Sequence, residues 1–382
     1  MRSKFFDRTV IIMIIKNGKV FTDQFIFEEK DVYVENGMFV DSAEEVSDRT
    51  EINANGNYVI PGLIDVHTHG SFGHDFCDND IDGLAEIARY QKRCGITSFC
   101  PTSMTLPKDL LAECFKNAAE LSRQDCGGSR IIGINMEGPF IAMSKKGSQN
   151  GKYVHEPDYE FFSDLNRVCG NMIRLVTLAP EVDGADEFIK LAHNEVNISI
   201  GHTDADYDAA KKALENGANH LTHMFNAMPP LLHRAPGVIG AAHDDENCMV
   251  EMICDGIHIH PSVIRTAFSA FGDDRIVLIS DSMMATGMEN GEYSLGGQKV
   301  FVKDRRATLA DGTVAGSATN LFECMQCAIR FGIRPESAVK AATANPAKSI
   351  GMYGKLGSIS VGKLADALIV DKDFNLIKVI SE

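Results

Sequence analysis

The sequence predicts an α/β fold, a (β/α)8 barrel that carries a small β-sandwich domain formed from both termini. Eight short apolar segments recur at near-regular spacing through the middle of the 382-residue chain. Amphipathic helical patterns separate several of these segments, and β-rich stretches lie at both ends. Because helices cover the outside of such a barrel and side chains fill its inside, its strands are expected to be continuous apolar runs.

The two ends of the chain favour short strands joined by turns. Residues 14–20 have a strand-turn-strand pattern around Asn17-Gly18, and residues 31–40 repeat it around Asn36-Gly37. Residues 365–371 alternate as a strand after a glycine-rich approach. We therefore expect residues 1–60 and 355–382 to pair into one small β domain.

The middle of the chain, residues 61–354, is expected to form the barrel. Its predicted strands are residues 63–66, 97–100, 131–135, 175–178, 198–200, 220–223, 249–254 and 276–279. Helical patterns cover residues 107–121 and 206–216, and a β-hairpin insertion turning at Asp311-Gly312 is predicted for residues 292–313. The alternative is a doubly wound open sheet, but no Gly-x-Gly-x-x-Gly follows any strand, which argues against its dinucleotide-binding form.

Composition narrows the range of partners. Lys and Arg number 37 against 53 Asp and Glu, a net charge of −16, which argues against nucleic acid and anionic membranes as partners. No apolar run reaches the ~20 residues that span a bilayer. The apolar run at residues 10–15 leads into Lys16 without a small-residue cleavage site, so it is interpreted as a strand. With ten scattered cysteines expected to be reduced, the sequence predicts a cytoplasmic protein.

Metal-competent side chains follow several of the predicted strands. The carboxyl ends of barrel strands meet at one rim, so side chains distant in sequence converge there. Imidazole and carboxylate together are typical of a catalytic Zn²⁺ or Fe²⁺ site, although Mn²⁺ and Co²⁺ accept the same donors. His-x-His alone is a weak signal, because His258-Ile259-His260 has the same spacing. The six candidates are His67, His69, Glu137, His202, His223 and Asp281.

Several segments resemble one known family. Residues 61–70, with the sequence Pro-Gly-Leu-Ile-Asp-Val-His-Thr-His-Gly, resemble the opening strand of the amidohydrolase superfamily. Glu-Gly-Pro-Phe at 137–140 and His-Met-Phe-Asn-Ala-Met at 223–228 are similar to the N-acetylglucosamine-6-phosphate deacetylases of that superfamily. The resemblance runs from about residue 14 to the C-terminus.

The resemblance implies a role for each matching position. Glu137, His202 and His223 match the principal metal ligands, Asp281 matches the catalytic aspartate, and the His67–His69 pair matches a second-metal site, so one or two cations per subunit are expected. The implied substrate is a small sugar phosphate. Its implied contacts are Ser148, Asn226, Ala227, Arg234, His258, Ala315 and Gly316.

Two further expectations come from the same resemblance. The family builds part of its phosphate site from the neighbouring subunit, which implies a homodimer. Some members carry a histidine soon after a Lys-Lys-Gly segment, whereas here Gln149 follows Ser148. An amide donates a hydrogen bond but does not exchange a proton near neutrality.

The resemblance implies a metal-dependent amide hydrolysis in amino-sugar catabolism and cell-wall sugar recycling, and the residues suggest that Asp281 accepts and then delivers a proton. In the alternative reading, Asp281 is only a metal ligand. A cyclic amidase or a nucleobase deaminase is the competing enzyme class, but many of those place a bridging lysine on strand four, where this sequence has Thr177-Leu178-Ala179-Pro180. A non-catalytic assembly module is the remaining alternative, and such proteins typically lose ligands that are all present here.

Overall fold

The computed structural model describes residues 12–382. Residues 1–11, which begin the predicted N-terminal part of the β domain and of its first strand, lie outside the described residues. In the described part, an eight-stranded parallel barrel accompanies a separate seven-stranded sheet. The predicted fold class is confirmed.

The barrel strands lie side by side in chain order, and each predicted apolar run falls on one of them. The third strand is interrupted by two residues. The ring closes where Thr68 bridges Ser282 and the Asp281 amide donates to the His67 carbonyl at 2.9 Å. The strands are Leu63–Thr68, Ile96–Ser103, Arg130–Ile131 with Ile134–Glu137, Ile173–Leu178, Asn197–Ile200, His220–Leu221, Met249–Ile253 and Ile276–Ile279.

Helices surround the barrel, and carboxylates begin several of them. Asp80, Asp158 and Asp206 each accept a backbone N–H from the first turn of the following helix, which satisfies donors that the helix leaves free. Between residues 12 and 382, no helix combines the length and apolarity needed to cross a membrane. The helices are Ile81–Arg93, Lys108–Leu121, Tyr159–Val168, Ala185–Ala192, Tyr207–Glu215, Gly237–Asp244, Pro261–Phe271, Leu321–Arg330, Pro335–Ala342 and Ala344–Ser349.

The separate sheet draws strands from both ends of the described chain. Successive residues of a strand face opposite sides, and here each side has its own core. Val59 and Ile369 are paired across two strands and pack in a small core within the domain, whereas the adjacent pair Ile60 and Leu368 packs on the barrel. The strands are Met13–Phe21, Phe27–Glu35, Met38–Val40, Glu51–Asn53, Tyr58–Pro61, Ala367–Val370 and Leu376–Ile380.

The two Asn-Gly sequences near the N-terminus have different structures. Asn36 and Gly37 both have positive φ, 51° and 70°, and form the tight turn that was predicted. The turn predicted at Asn17-Gly18 is wrong. Asn17 lies instead at a bulge inside the strand Met13–Phe21, because both halves of that strand pair with the same neighbour, Phe27–Glu35.

The insertion after the eighth barrel strand is a three-stranded antiparallel sheet, so the predicted hairpin at 292–313 is corrected. Its strands are Gly291–Leu295, Gln298–Lys303 and Arg306–Thr308. The chain turns at Gly296-Gly297 and again at Asp304-Arg305, where non-glycine residues adopt positive φ. Asp311-Gly312 lies beyond the third strand, in a short loop closed by Leu309 and Thr313.

Candidate active site

The six predicted metal-competent side chains converge at the carboxyl-terminal rim of the barrel. Glu137 is the last residue of the third strand, while His67 and His69 lie at the end of the first. His202, His223 and Asp281 each lie two residues beyond the last residue of their strand. All six are buried, although they come from five strands.

The six residues form two groups of three. We call Glu137, His202 and His223 the Glu137 triad, and His67, His69 and Asp281 the His67 triad. Within each triad, one ligand atom per residue lies within 4.8 Å of the others. This spacing allows one cation to contact three donors at once.

Glu137 lies between the two triads. Its Oε1 is 3.1 Å from Nε2 of both His202 and His223, and 3.5 Å from Nε2 of His67. Its Oε2 is 3.3 Å from Nε2 of His69. The His69 Nε2 is in turn 3.2 Å from Oδ1 of Asp281. The carboxylate of Glu137 is therefore placed to contact a cation in either triad or to bridge two.

The outer ring nitrogens of three of the histidines have hydrogen-bond acceptors. Nδ1 of His67 donates to Glu251 at 2.9 Å, that of His69 to the Thr102 carbonyl at 3.1 Å, and that of His202 to the Lys145 carbonyl at 2.8 Å. A proton on Nδ1 leaves the Nε2 lone pair free, and each of these Nε2 atoms faces the space between the two triads, which we call the centre. These contacts therefore favour the tautomer with its proton on Nδ1, which is the form in which an imidazole binds a metal through Nε2.

Three of the candidate ligands have strained backbone. His202, His223 and Asp281 have φ of 46°, 28° and 48°, in the left-handed region that non-glycine residues rarely adopt. Gly201 precedes His202, and a Cβ there would lie 2.6 Å from Cβ of Thr222. Strain of this kind persists where packing holds it and is common at functional sites.

A buried carboxylate supports the first and last strands below the site. Asp65 accepts the hydroxyl of Ser280 at 2.5 Å and the backbone N–H groups of Ser280 and His67, each at 3.3 Å. Burial raises the pKa of Asp65 to about 7, and these hydrogen bonds oppose the shift. The contacts fix the strand segments that present His67 and Asp281.

The electrostatics of the centre favour positive charge. Burial opposes ionisation of Glu137, but His67 and His202 outweigh burial and hold its pKa well below the ordinary value. Burial likewise opposes ionisation of Asp281, and the hydrogen bond from His69 outweighs it, so the pKa of Asp281 is lowered. For His69, burial works against the charge while Asp281 and Glu137 raise its pKa to about 10. A divalent cation supplies the same positive charge.

The residues present fit a divalent metal ion. His67 Nε2 is fully buried and has no hydrogen-bond partner among residues 12–382, although it faces Glu137 and Asp281. An unpartnered buried nitrogen is costly unless something else binds it. The donor set of imidazole nitrogens and carboxylate oxygens suits a catalytic centre rather than a structural one.

The centre opens into a cavity of about 540 Å³. Of the predicted substrate contacts, Ser148, Asn226, Ala227, His258 and Gly316 line this cavity together with Asp281. Two others do not line it: Ala315 is fully buried, and Arg234 is exposed on a loop. A second cavity, of about 630 Å³, lies at the opposite face near Arg130 and contains no residue of either triad.

Two residues that contact the candidate ligands were not among the predicted site residues. Gln149, buried, donates through Nε2 to Glu137 Oε2 at 2.7 Å and accepts the Thr105 N–H at 2.7 Å. Glu251 lies inside the barrel behind His67. The signal for Glu251 was a single acidic residue in the apolar strand Met249–Ile253. The signal for Gln149 was its place after the Lys-Lys-Gly segment, where some relatives carry a histidine.

Comparison with known proteins identifies the class of this protein. Residues 58–382 match the amidohydrolase family, and the chain therefore belongs to that family. The names of its relatives indicate a narrower group within that family. The N-acetylglucosamine-6-phosphate deacetylase of Bacillus subtilis (strain 168) is 38% identical over 333 residues, which cover 86% of this chain and 84% of that protein. The N-acetylgalactosamine-6-phosphate deacetylase of Escherichia coli O157:H7 is 32% identical, over 83% of this chain and 84% of that protein.

Solved structures agree over nearly the whole chain. N-acetylglucosamine-6-phosphate deacetylase from Pasteurella multocida superposes with a TM-score of 0.90 at 28% identity, covering 97% of this chain and 98% of that one. The deacetylase from Mycobacterium smegmatis, solved as a mutant in complex with N-acetyl-D-glucosamine-6-phosphate, gives a TM-score of 0.89 at 28% identity with the same coverage. The resemblance drawn from the sequence motifs is confirmed.

Proposed function

We propose that this protein hydrolyses the acetamide of N-acetylglucosamine 6-phosphate to glucosamine 6-phosphate and acetate, in amino-sugar catabolism and cell-wall sugar recycling. The observation that carries the proposal is the convergence of both triads at the floor of one cavity. The names of the relatives supply the substrate class. The reaction needs a nucleophilic water, a polarised carbonyl and a proton for the leaving nitrogen.

One or two divalent cations are proposed to bind the triads. When bound, such a cation lowers the pKa of water and polarises the acetamide carbonyl. Zn²⁺ and Fe²⁺ match the mixed nitrogen and oxygen donors, and Mn²⁺ and Co²⁺ accept them as well. Glu137, His202 and His223 are the proposed principal ligands, with His67 and His69 completing the second position.

Asp281 is the proposed catalytic residue. Its side chain is 12% exposed, more than the Glu137 and His67 side chains at 2% and 0%, and it lines the cavity where the substrate amide would lie. The carboxylate accepts a proton from the attacking water and delivers it to the departing nitrogen.

The sugar phosphate is proposed to bind along the cavity wall. Ser148, Asn226, Ala227, His258 and Gly316 line that wall, and Ala315 is buried next to Gly316 in the chain. Asp255 accepts a hydrogen bond from His258 Nδ1 at 2.7 Å, which fixes the imidazole. Arg234 is exposed outside the cavity of its own chain, a position that suits a phosphate site shared between the subunits of a homodimer.

We also propose a cytoplasmic location. All ten cysteines are free, and disulfide formation is disfavoured in a reducing compartment. The acidic net charge of −16 is consistent with a small-molecule enzyme rather than a nucleic-acid-binding protein.

The proposal is tested by measuring acetate release from N-acetylglucosamine 6-phosphate before and after treatment with a chelator. We expect release from the metal-loaded protein, its loss on chelation, and its return when Zn²⁺ or Fe²⁺ is added. N-acetylgalactosamine 6-phosphate is the second substrate to assay, because one relative is named for it. Activity that survives complete metal removal, or turnover of cyclic amides or nucleobases in place of both sugars, would contradict the proposal.

A further inference from the structure

One charged side chain inside the barrel lies outside the proposed machinery. Glu251 is in the middle of the seventh strand, Met249–Ile253, and is 1% exposed. It does not line the cavity and is in neither triad. A buried carboxylate is costly unless its oxygens are hydrogen-bonded, so its contacts indicate what it does.

The contacts of Glu251 reach both triads. Its Oε2 accepts Nδ1–H of His67 at 2.9 Å and the backbone N–H of His223 at 3.1 Å. Its Oε1 is 3.7 Å from Nδ1 of His220, a third buried histidine. A single oxygen therefore binds one ligand of the His67 triad through its side chain and one ligand of the Glu137 triad through its backbone.

We propose that Glu251 is a positioning residue that sets the geometry of both triads together. The hydrogen bond to Nδ1 of His67 leaves the Nε2 lone pair facing the centre, and the negative charge strengthens that nitrogen as a donor. The hydrogen bond to the His223 amide holds a residue whose φ is 28°, a strained value that needs support from its surroundings. This inference rests on the cation centre of the proposed function.

Two substitutions at position 251 separate the effect of the hydrogen bonds of Glu251 from the effect of its charge. Both hydrogen bonds end on Oε2, so the carbonyl oxygen of a glutamine at this position accepts both, while its NH₂ group faces His220. Glu251→Gln therefore keeps the positioning contacts and removes the charge. Glu251→Leu removes both.

The test measures cobalt(II) affinity of the full-length protein by competition with a chromogenic chelator, together with the visible spectrum of bound cobalt. Loss of an outer contact to a ligand weakens metal binding about 10–100-fold. We expect Glu251→Leu to lower the affinity ~100-fold and shift the spectrum, and Glu251→Gln to lower it ~10-fold with a smaller shift. Asp366→Asn, which changes a buried acid that pairs with Arg130 far from the centre, is the matched control and is expected to bind cobalt as the wild type does.

Each outcome decides the proposal. Wild-type affinity and spectrum in a folded Glu251→Leu protein would overturn it, as would an equal loss in Asp366→Asn. If the leucine variant does not fold, the smaller Glu251→Ala, which also removes both hydrogen bonds, takes its place, and wild-type affinity and spectrum in that variant would overturn the proposal. Cobalt affinity needs no substrate, so a failure of the deacetylase assay leaves this test intact, and the reverse also holds.

Discussion

The Glu137 triad and the His67 triad share one site, but different parts of the fold hold them. His202 and His223 of the first triad follow short strands, and Nδ1 of His202 is fixed by the Lys145 carbonyl at the end of a short 3-10 helix. His67 of the second lies within a strand, and its Nδ1 is fixed by Glu251 inside the barrel. Two of the three residues of the Glu137 triad therefore lie in loops, whereas two of the three residues of the His67 triad lie at the end of a strand.

The distances between imidazole nitrogens and carboxylate oxygens also differ between the two triads. In the Glu137 triad, both imidazole Nε2 atoms are 3.1 Å from one carboxylate oxygen. In the His67 triad, the corresponding separations from Asp281 Oδ1 are 3.2 and 3.6 Å. The Glu137 triad, in which two imidazole nitrogens lie close to one carboxylate oxygen, is therefore the better candidate to hold a tightly bound cation. The other triad includes the only one of the six residues proposed to move a proton.

The largest expected effect is that of Asp281→Asn. General acid–base catalysis contributes ~10²–10⁴-fold, and a group that acts in two proton transfers is expected near the upper end. We expect acetate release to fall by about that factor while the metal content stays near that of the wild type, because the asparagine oxygen and both histidines remain. Metal analysis and turnover on the same sample check this. Turnover within tenfold of the wild type would contradict the proton-transfer role, and loss of the cation would show that Asp281 is needed as a ligand.

The convergence of the six candidate ligands could be predicted because it depends on short sequence signals. Each predicted apolar run lies on a barrel strand, and the residues just beyond those runs are the ones that meet at the rim. Burial on both faces makes such strands visible in sequence. The contacts of Gln149 and Glu251 were not predictable in this way, because they join residues distant in sequence whose meeting depends on loop paths and on packing inside the barrel.

Local backbone conformation explains the two wrong turn predictions, at Asn17-Gly18 and in the insertion. Asn17-Gly18 and Asn36-Gly37 have the same turn sequence, yet one is a bulge, because pairing with a neighbouring strand overrides the local preference. The predicted hairpin turn at Asp311-Gly312 lies beyond the third strand of the insertion, whose turns are at Gly296-Gly297 and at Asp304-Arg305, where φ is 50° and 67° without glycine. Turn residues without glycine give a weak signal in sequence.

A second prediction compares the triads directly by substituting one histidine in each. His202→Asn is expected to remove the tightly bound cation and lower turnover ~10³-fold, since a Lewis acid contributes several kcal/mol. His67→Asn is expected to keep a cation at the Glu137 triad and lose ~10-fold in turnover, the scale of a perturbed metal environment. Metal stoichiometry by mass spectrometry, with acetate release, measures both. Equal cation loss in the two variants would show a single shared centre rather than two unequal triads.

The smallest expected effect concerns Gln149, which touches the carboxylate between the triads. Gln149→Ala removes the donor to Glu137 Oε2 and leaves the Thr105 N–H without its acceptor, so we expect about a tenfold loss in cation affinity, as for other outer contacts to a ligand. Thr105→Val is the matched control: it keeps the backbone N–H and alters only a hydroxyl that has no partner among residues 12–382. Because the amide of Gln149 does not titrate, the pH profile of acetate release by Gln149→Ala is expected to keep the wild-type shape. A shifted profile would show instead that Gln149 sets the protonation of its neighbours, and that the two triads are coupled through Glu137.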